Sequence, residues 1–187
     1  MASVAVAPSI ASAQTTDTVT AIPALTGVGT TVALDAATVQ ALTSLGVKVA
    51  PYGTATLSGS DVTFPITSGY VEIHSDKGHE PGYIEGSIEH YGSGLTLTAG
   101  STTVTLSDFV VDPGNSVLYA SVNGTPDATP LLQLDGRDVS VSKDGSGDVV
   151  LNDTIANLST NLNSVFNTNG FSLGPDIFLD GELWFTD

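Results

Sequence analysis

Short alternations of apolar and polar residues run through most of this chain. Their two-residue period is that of a strand with one buried face. The clearest stretch is 70–112. In Tyr70–His74, residues Tyr70, Glu72 and His74 share one face, and Val71 and Ile73 the other. A polar loop, Ser75–Gly82, separates this strand from a second at Tyr83–Tyr91, where Gly86 sits between Ile84 and Ile88 as a candidate bulge. Leu95, Leu97 and Ala99 alternate with threonine up to a Gly100-Ser101 turn, and Val104, Leu106 and Phe109–Val111 continue beyond it. Further strands are predicted at Thr31–Leu34, Val47–Ala50 (ended by Pro51), Thr54–Leu57, Val62–Phe64, Val117–Val122, Leu131–Leu134, Val139–Val141, Val149–Leu151 and the C-terminal Leu183–Phe185.

Two segments have helical spacing instead. Asp35 is an N-cap for Ala36–Leu45, with Val39, Leu42 and Leu45 on one face and Gly46 as the stop. Asp153 would cap a second helix through Ile155, Leu158, Leu162, Val165 and Phe166, stopped near Gly170. The two units resemble each other as a weak repeat of strand, acidic cap, helix and glycine. About ten short strands with two short amphipathic helices predict a mainly β fold, an antiparallel β-sandwich or flattened barrel.

Composition narrows this picture. Of 187 residues, 41% are hydrophobic, enough for a real core in one domain, but only 13% are charged. Ser, Thr, Asn and Gly must therefore build the surface, as in extracellular β proteins. Four basic residues face 20 acidic ones, for a net charge of −16. Lys48, Lys77, Arg137 and Lys143 form no stripe, which argues against nucleic acid as a partner. The absence of cysteine excludes disulfides and thiolate chemistry. No apolar run is long enough to span a bilayer as a helix. Residues 1–13 end in Ala11-Ser12-Ala13, a small-residue cleavage pattern, and read as a signal-peptide remnant. Residues 14–28 read as a flexible lead and 29–187 as a single β domain. The expected location is outside the cell or in its wall.

The pieces Val62–Pro65, Gly69–Val71, Gly82–His90, Ser93–Thr98 and Val104–Val111, with the cap at Asp153, resemble secreted actinobacterial β-domain proteins of unassigned function. More distantly they are similar to the HtaA-type haem-uptake domain. That resemblance implies a cell-envelope domain with a link to haem. It also implies a tyrosine on the first helix and a histidine in the turn between two central strands as ligands. Here the helix has no tyrosine and the turn reads Ala99-Gly100-Ser101-Thr102.

All three histidines lie in the 70–112 stretch. His74, His79, Glu80 and His90 form a metal-ligand constellation, with Tyr91 beside His90 as a haem-type donor. If the strands pair about the Ser75–Gly82 loop, His74 sits at its base and His90 several rungs away, so one three-histidine site is geometrically awkward. Asp144, Ser146 and Asp148 offer oxygen at alternate positions, as a calcium loop does, although a plain turn has the same composition. Glu72, Glu85 and Glu89 could supply a glycosidase carboxylate pair, but without evident sugar-gripping aromatics around them. There is no nucleophile elbow, P-loop or dinucleotide fingerprint. The expectation is a non-catalytic interaction domain that binds a cell-envelope component or another protein. The alternatives are capture of haem or a divalent metal, and self-assembly through an exposed strand edge.

Overall fold

The computed structural model describes residues 17–75, 83–126, 128–137, 139–152, 154–158, 169 and 183–185. Within them the protein is mainly β, with antiparallel pairing throughout and one helix. The strands are β1 (Val19–Ile22), β2 (Thr30–Ala33), β3 (Val47–Gly53), β4 (Thr56–Ser58), β5 (Asp61–Phe64), β6 (Ser68–His74), β7 (Tyr83–Ala99), β8 (Thr102–Asp112), β9 (Val117–Val122), β10 (Thr129–Asp135), β11 (Ser140–Lys143), β12 (Val149–Asn152), β13 (Thr154–Leu158) and β14 (Leu183–Phe185); helix α1 is Ala36–Ser44. No helix among the described residues is long and apolar enough to cross a membrane.

One large sheet runs in the order β1-β6-β7-β8-β9-β10-β13-β14-β2-β5-β4, and β11 and β12 form a separate hairpin. β6 pairs with the first half of β7 and β3 with the second, so β6 and β3 lie end to end along the same side of β7. The sheet curls until distant strands meet. Phe64 of β5 packs edge-on against Phe109 of β8, with ring centroids 5.0 Å apart. Val32, Val62, Leu97, Val104, Leu118, Ala120 and Leu131 complete the core between them. No ladder joins β3 to β4 among the described residues, so the sheet is not closed.

β7 merges two strands that the sequence predicts separately. Its pairing with β8 shifts register between His90 and Gly94, so Tyr91, Gly92 and Ser93 lie opposite Asp108 alone. The bulge changes the phase of the alternation. Before it, Ile84 and His90 point inward; after it, Ser93 and Leu97 do. Gly92 supplies the positive φ, +76°, and its N–H donates to Asp108 Oδ1 at 2.8 Å. Gly86, the expected bulge, lies instead within an unbroken β6–β7 register.

Three other expectations change. Thr154–Leu158 is a strand, not the start of a second helix, because it has ladder partners on both sides, in β10 and β14. A five-residue run rich in β-branched and apolar side chains fits either element, and the available neighbours decide. Residues 159–168, the rest of that predicted helix, lie outside the described residues. The repeat therefore holds only in its first copy, where Asp35 caps α1 by accepting from Thr38 N at 2.9 Å and Leu42 alone of the predicted face is buried. The lead 14–28 contains β1, which pairs with β6. Finally, β3 continues through Pro51 to Gly53; it lies at a sheet edge, where a residue without N–H is tolerated.

Gly86 has φ +138°, and a Cβ there would lie 2.1 Å from the carbonyl oxygen of Tyr70. Gly86→Ala should cost about 2–3 kcal/mol. Gly136 has open space around it, so Gly136→Ala should stay within about 0.5 kcal/mol of wild type. Urea denaturation of both variants checks the contrast.

Candidate metal centre

The register of β6 on β7 sets Glu72 directly opposite Glu85 and His74 directly opposite Tyr83. Because strand side chains alternate, these four share the face turned away from Val71 and Ile84, which are buried. Donor atoms of Glu72, His74 and Glu85 all lie within 4.8 Å of one another. Two ligands about 2.1 Å from one ion can be at most about 4.2 Å apart. A small swing of one glutamate side chain closes that gap.

His74 is the fixed member. It is 7% exposed although it stands at the end of its strand. Its Nδ1 lies 2.6 Å from Asp17 Oδ2. A carboxylate can only accept, so Nδ1 carries the proton and donates it. That leaves Nε2 toward the glutamates, 3.5 Å from Glu85 Oε2. Nε2 is buried and has no hydrogen-bond partner. A buried polar atom without a partner is costly and calls for an explanation. The Tyr83 ring walls the site, 6.0 Å from the imidazole, and its hydroxyl donates to the Gly114 carbonyl at 3.2 Å. That bond ties the turn after β8 to the site. The Glu85 side chain is 38% exposed against 8% for His74, so the cluster opens to solvent on its carboxylate side.

The other predicted site residues are dispersed. His90 faces the opposite side of the sheet and is 1% exposed. Its Nδ1 donates to the Phe109 carbonyl at 3.2 Å, and its Nε2 lies 2.7 Å from Thr30 Oγ1, which donates to it. Both nitrogens are engaged within the core, which leaves neither for haem or metal in this state. Burial lowers the pKa of His90, against the weaker raising effect of the Phe109 carbonyl. Tyr91, its neighbour, is half exposed in the bulge and shares no ligand position with it. His79 and Glu80 lie outside the described residues. Asp144 Oδ1 accepts from the backbone of Ser146 and of Asp148, each at 2.8 Å, so this set closes its own turn. Glu89 accepts from Ser68 Oγ and Ser87 Oγ.

Glu72 and Glu85 were legible among three candidate carboxylates, with Glu89, but not as partners of His74. The available signal is Glu-x-His on one strand and Tyr-x-Glu on the next. Combining the two requires the register. Asp17, 57 residues from His74, gave no local signal.

The buried His90 sets a pH dependence. Its folded pKa lies below the unfolded value of about 6.5, so the unfolded chain takes up a proton that the folded one refuses. Its contribution is full above about pH 6.5 and is lost as the pH falls through the folded value. His90→Ala should destabilise by about 2–4 kcal/mol at pH 7.5. It should also lose less stability than wild type between pH 7.5 and 5.5. Denaturant melts at the two pH values test this; equal losses would contradict a neutral buried imidazole.

In comparisons with known proteins, no family model, no curated protein and no solved structure matches this chain.

Proposed function

We propose that the chain is a secreted, cell-envelope β-sandwich domain, non-catalytic, whose binding chemistry is the capture of one divalent cation by Glu72, His74 and Glu85. One observation carries the reading: His74 is buried with Nδ1 held by Asp17 and an unpartnered Nε2 directed at two glutamates. One imidazole and two carboxylates are the donor set of zinc-class ions, and three protein donors leave further positions for water or an outside ligand. Between the two captures considered from sequence, the cluster favours a small ion over haem. Its donors lie within 4.8 Å of one another, close to the span of one ion's ligand shell. The secreted setting rests on the Ala11-Ser12-Ala13 pattern and on a surface poor in lysine. The non-catalytic reading rests on the missing nucleophile and cofactor motifs.

Metal ligands bind in their deprotonated forms, so capture should weaken in acid. Isothermal titration of the full chain with Zn²⁺ or Co²⁺ should give one site per chain. His74→Ala should abolish it, and Glu72→Gln or Glu85→Gln should weaken it by about tenfold or more. Zn²⁺ at about a hundredfold over its Kd should raise unfolding free energy by about 2.7 kcal/mol. Binding that persists unchanged in His74→Ala would refute the site.

A further inference from the structure

We infer that Asp17 is the positioning residue of this site, and that through it metal occupancy is coupled to the docking of strand β1. The inference rests on the proposed capture of a cation at His74. It concerns what holds the ligand, and what the ligand in turn holds.

Strand β1 is a poorly anchored edge. Its four residues pair only with β6 among the described residues. Three of the four are exposed, Val19 at 49%, so β1 buries little apolar surface against the sheet. Its ladder bonds lie at the rim, where edge strands open most easily. What else fastens it is polar and concentrated at one end. Thr18 N donates to Ser75 Oγ at 2.9 Å, Ser75 N donates to the Thr18 carbonyl at 3.0 Å, and His74 Nδ1 donates to Asp17 Oδ2 at 2.6 Å. The other end is held where Leu25 N donates to the Gly69 carbonyl at 2.9 Å. Among these contacts, only the Asp17 bond reaches a side chain of the cluster.

That bond works in both directions. Asp17 fixes the imidazole as the Nδ1–H tautomer and so presents the Nε2 lone pair to an incoming cation. A cation on Nε2 withdraws electron density from the ring. The Nδ1–H then becomes a stronger donor, and its bond to a carboxylate strengthens. Each event favours the other by the same factor, because linkage is reciprocal. Metal should therefore close β1 onto β6, and a docked β1 should tighten the metal.

The test uses the full chain, Zn²⁺ as the probe, and the variants Asp17→Ala, Asp17→Asn and His74→Ala. Titration calorimetry gives affinity, and hydrogen exchange reads the amides of residues 19–22. Asp17→Ala should weaken Zn²⁺ binding by about ten- to a hundredfold. Asp17→Asn should recover part of that loss, because a carboxamide oxygen still accepts from Nδ1–H; a purely charge-based role would give no such recovery. Zn²⁺ should slow exchange at 19–22 in wild type and not in Asp17→Ala, while exchange in β8 stays alike in both. The visible spectrum of bound Co²⁺ should shift in Asp17→Ala, reporting a reoriented imidazole. If wild type and Asp17→Ala bind Zn²⁺ equally through His74, or if Zn²⁺ leaves exchange at 19–22 unchanged in wild type, the coupling is wrong while the capture site stands. If wild type takes up no Zn²⁺ or Co²⁺, the capture site and the coupling both fall.

Discussion

The candidate metal centre inherits its place from the register between β6 and β7. Val71 faces Gly86 and Ile73 faces Ile84 on the inner side; Glu72 faces Glu85 and His74 faces Tyr83 on the outer side. A slip of one residue would exchange the faces, sending Ile84 and Ile88 into water and the glutamates into the core. The apolar inner face therefore specifies the polar outer one. Gly86 adds a second lock. Its φ of +138° and the Tyr70 carbonyl pressed against it leave no room for a side chain, so no other residue of β7 can take that rung. A site built on two central strands with such a lock is held more firmly than one built on loops.

Strand β7 serves both faces of the sheet. In its first half β7 lends Glu85 to the outer face. At the bulge it delivers His90 to the inner face, just before the alternation changes phase. His90 joins β7 to β8 through the Phe109 carbonyl and to β2 through Thr30, strands far apart along the sheet path. A buried imidazole with both nitrogens satisfied stabilises one arrangement of the curled sheet, whereas an apolar ring of similar size would tolerate several. Ser93, buried in the bulge, donates to the His90 carbonyl at 2.9 Å and holds the kink. The curl of the sheet and the phase change of β7 are thus one structural event.

Much of this was legible from periodicity alone. The faces of Tyr70–His74, the strand at Val62–Phe64, the capped helix after Asp35 and the turn at Gly100 follow from local chemistry, and the structure has them. What failed were features decided by neighbours. Thr154–Leu158 has the spacing of a helix and the ladder partners of a strand, and partners are not written in the segment itself. The structure separates two of the candidate ligands, His74 and His90, for a related reason. His74 and His90 were grouped because both belong to one stretch of sequence. His74 faces Tyr83, so the odd-numbered residues of the first half of β7 share its face and His90 does not. The loop between the strands is long enough that composition does not fix that parity. Asp17 was less legible still, since nothing near it in sequence marks it as the partner of a histidine 57 positions on.

Charge explains why an ion would come to this surface, but not which one. A chain of net −16 attracts every cation. At physiological ionic strength that field is screened within about 8 Å, so the final selection belongs to local donors. Glu72 and Glu85, opposite each other on one face, favour any cation placed between them, and calcium or magnesium would be drawn as readily as zinc. His74 breaks that equivalence. Nitrogen is a poor ligand for hard ions and a good one for zinc-class ions. Its burial matters as much as its chemistry: Nε2 is buried without a hydrogen-bond partner, so a bond formed there answers the cost of leaving it unsatisfied. Hard ions would leave that nitrogen unsatisfied while occupying the carboxylates. On the proposed capture, the discrimination between ion classes would reside in one buried nitrogen atom, and in the Asp17 bond that keeps its lone pair turned toward the site.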